Sequence, residues 1–173
     1  MAAIIPVRTD FLMKVRNAGL DDQNQPVQTM IAQGGEPCRD VLRRALPGEA
    51  LILASYCPFT QPGPYKEYGP IFVLAHESST PPDLTIFPLP NNSESNYLTD
   101  VFVLRAYNKA EEIVNAQLAS PTTTSAILEQ FFSIPDVAFI LVRFAAYGCY
   151  AFRLNPGVRD VNPGVRDVEI RIS

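Results

Sequence analysis

Apolar residues fall along this chain in two patterns. Short, nearly unbroken apolar blocks at 50–56, 71–75, 101–107 and 137–144 are bounded by Pro, Gly, Asn and Asp, which predicts strands. In 101–107 and 137–144 both parities are apolar, the mark of a strand covered on both faces. Helical spacing appears twice. In 10–18, Asp10 stands at the cap, Phe11, Leu12 and Val15 share a face, and Gly19 ends the turn. From Ser120-Pro121, a cap followed by a first-turn proline, Ile127, Phe131 and Ile134 recur on one side, flanked by Leu128 and Phe132. Weaker strands are expected at 27–32, at 113–118 (pairing back after a turn at Asn108-Lys109) and at 149–154, after a turn at Gly148.

Between these elements the chain turns polar. Residues 21–26 and Gly34-Gly35 are breaks, 58–70 is a Pro-rich loop, and 78–96 predicts a long surface loop. Strands outnumber helices, so the predicted class is α+β. The expected architecture is a single domain over residues 1–154, a mostly antiparallel sheet with two helices packed on one face. Residues 155–173 form a tail. There Asn155-Pro156-Gly157-Val158-Arg159-Asp160-Val161 recurs unchanged as 162–168, too few copies for a solenoid. Each Asn-Pro-Gly suits a type II turn, and 168–172 alternates like a half-buried strand. One heptad is expected to be dispensable. The tail strand is a candidate edge for pairing with a second copy, which would make a homodimer.

Composition narrows the class. At 173 residues, 47% hydrophobic and 18% charged, the chain is expected to fold without disulfides or metal. Fourteen basic against 18 acidic residues give a net charge of -4 with no basic run, which argues against nucleic acid as a partner. No apolar run approaches the roughly 20 residues that span a bilayer, and the start has no basic leader, so neither a membrane span nor a signal peptide is expected. Cys38, Cys57 and Cys149 are odd in number and widely spaced, which points to reduced thiols and a soluble cytoplasmic protein. One His and three scattered Cys carry no zinc spacing, and no Gly-rich phosphate loop is present; no metal or cofactor is expected.

Several short blocks occur in a characteristic order: Pro37-Cys38-Arg39 with Leu42; Pro47-Gly48-Glu49; Tyr65 with Gly69-Pro70-Ile71-Phe72-Val73; Arg105-Ala106-Tyr107; and Gly148-Cys149-Tyr150. Together, over roughly residues 11–154, the chain resembles the bacterial domain-of-unknown-function 1203 family. The resemblance implies a small soluble bacterial protein and no known reaction. Where members carry additional Cys or His, this chain has Val41, Leu74 and Ser78; where others carry His-Asn, it has Arg143-Phe144.

Charge inside apolar strands is the strongest chemical signal. Arg105 and Arg143 lie in predicted core strands, where an unpaired cation is expensive. Either they hold a small anionic ligand by paired hydrogen bonds, or they pair with the protein's own acids or reach water. Cys149 in a Gly-Cys-Tyr turn is either a small core residue or a nucleophile served by His76, the sole histidine. Cys38-Arg39 is either a buried anchor or part of an anion site. Glu111-Glu112 reads as a solvated turn. Tyr56, Phe59, Tyr65 and Tyr68 line either a groove or a satellite core. The candidate ligand-binding set is Cys38, Arg39, Tyr65, Arg105, Tyr107, Arg143 and Cys149. The leading expectation is a non-catalytic small-anion-binding or interaction module. The alternatives are a thiol- or Arg-dependent enzyme on a small anionic substrate, and a structural protomer.

Overall fold

The computed structural model describes residues 2–90 and 97–157. The second heptad and the tail strand at 168–172 therefore lie outside the described residues. In chain order the elements are β1 (Ala2–Ile5), α1 (Thr9–Met13), β2 (Gln28–Ile31), β3 (Pro37–Cys38), β4 (Arg43–Arg44), β5 (Ala50–Tyr56) and β6 (Gly69–Leu74). They continue with β7 (Phe102–Tyr107), β8 (Ile113–Ala119), α2 (Thr124–Ser133), β9 (Phe139–Phe144) and β10 (Tyr150–Pro156). This is an α+β protein, and no helix among the described residues is long and apolar enough to cross a membrane.

The strands form two five-stranded sheets where the sequence suggested one. The first runs β1-β10-β9-β7-β8 and the second β2-β5-β6-β3-β4. Every pairing in the first sheet is antiparallel. The second has one parallel contact, Cys38 of β3 opposite Phe72 of β6. The two sheets explain the apolar character of β7 and β9. On one face of the first sheet, Phe102, Leu104, Ala106, Ile140, Val142, Phe152 and Leu154 pack with Ile127, Leu128 and Phe131 of α2. On the other face, Tyr107, Phe139 and Leu141 meet Ile52, Ala54, Ile71 and Val73 of the second sheet, and Phe11 and Val15 join them. Successive side chains alternate across a strand, so β9 feeds two cores and can spare no parity for water.

Several local expectations are corrected. Arg8, not Asp10, precedes α1; the Asp10 carboxylate accepts from the Arg8 guanidinium at 2.7 Å. α1 continues as a π-helical turn, Lys14–Ala18, that ends at Gly19 with φ 65°. α2 starts later than Ser120-Pro121 suggested. The Thr123 hydroxyl accepts from the Ser120 N–H at 2.9 Å and the Thr124 hydroxyl donates to the Ser120 carbonyl at 2.6 Å, which holds 120–123 in a turn. The loop after β6 is not all surface: Phe87 and Leu89 enter the core, Phe87 with its ring 5.2 Å from Phe152. The first Asn-Pro pair is strand, not turn, since Asn155 and Pro156 pair with Ala3 and Ala2 of β1.

Candidate functional site

Alternation places Arg143 on the same face of β9 as Phe139 and Leu141, toward the second sheet. It is the penultimate residue of the strand. The chain then turns through Tyr147 and Gly148, whose φ of 68° favours glycine. β10 begins with a register shift between Tyr150 and Phe152. That bulge turns Tyr150 toward the second sheet while Phe152 and Leu154 face α2. The Tyr150 hydroxyl donates to the Pro6 carbonyl at 2.6 Å and its ring lies 5.0 Å from Tyr56. A cleft of about 130 Å³ opens here, lined by Tyr56, Glu67, Tyr68, Arg143, Tyr147 and Cys149 among others.

Arg143 is 5% exposed. Its Nη1 donates to the Gly148 carbonyl at 2.9 Å, and its Nη2 donates to Oε1 of Glu67. Its Nε is buried and has no hydrogen-bond partner among the described residues. Burial pushes the guanidinium below the usual arginine range, against the fields of Cys149 and Tyr150. Glu67 arrives from the opposite side on a loop, 60–68, in which every residue is exposed. The Glu67 side chain itself is 44% exposed.

That loop is tied down at its base. The Glu111 carboxylate accepts from the Thr60 N–H at 2.9 Å, the Thr60 hydroxyl at 2.8 Å and the Gln61 N–H at 2.8 Å. Burial pushes Glu111 up, but these bonds and the field of Arg153 prevail and hold it below the usual carboxylate range. Glu111 is buried and has φ 62°, which corrects the expectation of a solvated turn. Phe59 anchors the same segment by edge contact with Tyr107 at 5.3 Å.

The other predicted residues divide between site and scaffold. Arg39 is 2% exposed; its Nε donates to the Tyr150 carbonyl at 2.9 Å, its Nη1 donates to the Pro37 carbonyl, and its guanidinium lies 5.0 Å from the Phe144 ring centre. No carboxylate among the described residues bonds it. Burial pushes it down, opposed by the fields of Tyr97, Cys149 and Cys38. Cys38 is fully buried in β3, and burial pushes its thiol up to about 12. Arg105 is half-buried on β7 beside Tyr107; burial pushes the Tyr107 phenol up and the Arg105 guanidinium opposes this. Tyr107 stacks on Phe139 at 5.1 Å as core. Tyr65 is exposed and lies outside the cleft lining. Phe59 is core, Tyr56 is buried but also forms a wall of the cleft, and Tyr68 lines it while Tyr65 does not, so the proposed aromatic set is split.

His76 is not brought to Cys149. It lines a different, open concavity of about 650 Å³ beyond the far end of β6. The cleft uses Gly69 and Pro70 at the near end, and six strand residues span about 17 Å. The larger concavity holds an ion pair already closed on itself, Arg43 to both oxygens of Glu49 at 2.8 and 2.6 Å. It offers no unpaired buried group, so the smaller cleft is the chemically distinctive one. Of the residues put forward from the sequence, Arg143 and Cys149 line the cleft, whereas Glu67 and the tether at Glu111 were not among them. A glutamate in a Pro-rich loop carries no periodicity signal; only the positive φ at Glu111 is unusual, and it is invisible in the sequence.

The family described as Protein of unknown function (DUF1203) matches residues 35–155, well over half of the chain. The matched span contains β3 through most of β10 and every residue that lines the cleft. The chain belongs to that family. No curated protein and no solved structure matches it.

Proposed function

Because membership of this family assigns no reaction, we propose that the protein is a binding module for the carboxylate end of a small ligand, received by Arg143. One observation carries this reading: the side edge of a buried guanidinium is half used. A carboxylate binds arginine best through two parallel N–H···O bonds. The edge formed by Nε and Nη2 suits that geometry, yet Glu67 reaches Nη2 alone and Nε has no partner. An orphaned buried donor costs about 1–3 kcal/mol. A ligand carboxylate that takes both positions recovers that loss and releases Glu67 to water, where its exposed loop already holds it. Ligand pockets for drug-sized molecules run from about 300 to 1,000 Å³. A cleft of about 130 Å³ holds only the acidic head, with the remainder lying along Tyr68 and Tyr147 at the mouth.

Calorimetric titration with benzoate, with inorganic phosphate as the second arm, tests the reading. Glu67→Gln removes the resident competitor. With its Glu67 end in water the pair is worth about 1 kcal/mol, so benzoate affinity should rise by about fivefold. Arg143→Gln should abolish binding. Arg143→Lys, which keeps the charge and loses the two-point edge, should weaken it; both variants' melting curves confirm that the fold persists. Unchanged benzoate affinity in a folded Arg143 variant would refute the proposal, as would weaker binding in Glu67→Gln. A preference for phosphate over benzoate would overturn the carboxylate assignment.

A further inference from the structure

We infer that Cys149 is a site of thiol–disulfide exchange with small disulfides that carry carboxylates. This rests on the carboxylate reading of Arg143 and adds a covalent step to it. Three thiols are present, and two are sequestered. Cys38 is 0% and Cys57 4% exposed. Cys149 is only half-buried and lines the cleft with Arg143. Its sulfur lies 3.7 Å from the Tyr147 carbonyl, on the exposed turn that follows β9.

The second observation is independent of the thiol. The Arg143 side chain is 6% exposed, lines the same cleft, and keeps an unbonded Nε. Arg39, also buried, bonds no carboxylate among the described residues. Arg143 has one described carboxylate partner, Glu67, and Arg39 has none, so the surroundings of the thiol favour an incoming anion. A disulfide with a carboxylate arm can seat that arm on Arg143 and present its sulfurs to Cys149.

The step balances without a further reactant. Cys149 loses its proton to water, and its sulfur attacks one sulfur of the disulfide. The S–S bond of the reagent breaks, a mixed disulfide forms, and the departing thiolate takes a proton from water. One disulfide is consumed and one is made. No second cysteine lines the cleft. The adduct therefore cannot resolve locally into an internal disulfide and persists until an external thiol removes it.

The test uses the full chain, reduced, and incubated with oxidised glutathione (anionic), cystamine (cationic) or 2-hydroxyethyl disulfide (neutral). Intact mass and peptide mapping read the adduct, and rates are normalised to a free thiol. Wild type should gain one adduct, at Cys149, and Cys149→Ser none. One unit charge about 4 Å away in water is worth about 1 kcal/mol, so oxidised glutathione should react about fivefold faster than the neutral disulfide, and cystamine more slowly than the neutral disulfide. Arg143→Gln should erase that preference while the neutral disulfide still labels Cys149, which shows the thiol is intact. No adduct at Cys149 overturns the inference, as does a charge preference equal in wild type and Arg143→Gln. Benzoate binding measured on Cys149→Ser separates the two claims. If that variant binds benzoate while wild type forms no adduct, the exchange fails and the carboxylate site stands. If it fails to bind and the adduct shows no charge preference, both fail.

Discussion

Replacing Glu111 with Gln tests whether one carboxylate holds the loop that carries Glu67. The wild-type group accepts from two backbone N–H groups and one hydroxyl within 3.0 Å. Hydrogen bonds to a charged group contribute about 1.5–3 kcal/mol each when buried. Thr60 and Gln61 are exposed, so water replaces much of what is lost. The expected destabilisation is about 1–2 kcal/mol in total, or about 3–7 °C in Tm for a chain of this size. Glu111→Ala keeps the positive φ and loses the acceptor; Glu111→Gly loses the acceptor but relieves the backbone, and should be the more stable of the two by about 1 kcal/mol. The pH dependence has a definite sign. The folded-state pKa of Glu111 is depressed, so its contribution is present above the unfolded value of about 4.3 and is lost as pH falls through the lower folded value. Thermal melts of wild type and Glu111→Gln across pH should differ near neutrality and converge in acid. A difference that stays constant into strong acid, or no difference near neutrality, refutes the argument.

Two further outcomes follow from the packing. Phe131 is fully buried between α2 and the first sheet, so Phe131→Ala should cost about 3–5 kcal/mol by urea denaturation; a loss below about 1 kcal/mol would mean the helix face is not core. Of the three thiols, only Cys149 should react with a thiol reagent under native conditions, and all three after unfolding; early labelling of Cys38 or Cys57 would contradict their burial.

The strands were legible wherever a turn former abuts an apolar block. β5 follows Pro47-Gly48, and Ala50–Tyr56 forms as the pattern predicts. β8 was readable from the turn at Asn108-Lys109 and begins at Ile113 as expected. The division into two sheets was not, because strands β3 and β4, at one side of the second sheet, have two residues each and no measurable period. α2 began late because the hydroxyls of Thr123 and Thr124 bond Ser120 and hold a separate turn, a local competition that helix propensity does not capture. In the site, a charge in an apolar strand marked Arg143. Its face was readable by alternation from Phe139 and Leu141, whereas its partner lay 76 positions away with no pattern to mark it.

The pairing of Ala2 with Pro156 sets a schedule for synthesis. The second sheet is drawn wholly from residues 28–74 and has all its strands once the first half of the chain has emerged. β1 must instead wait for β10, its partner in the first sheet. At about 5–20 residues per second, that is roughly 10–30 seconds in which residues 2–5 have no neighbour to join. Until then Ala2–Ile5 stays without its sheet neighbour, and the cleft around Cys149 is complete only after β10 has emerged.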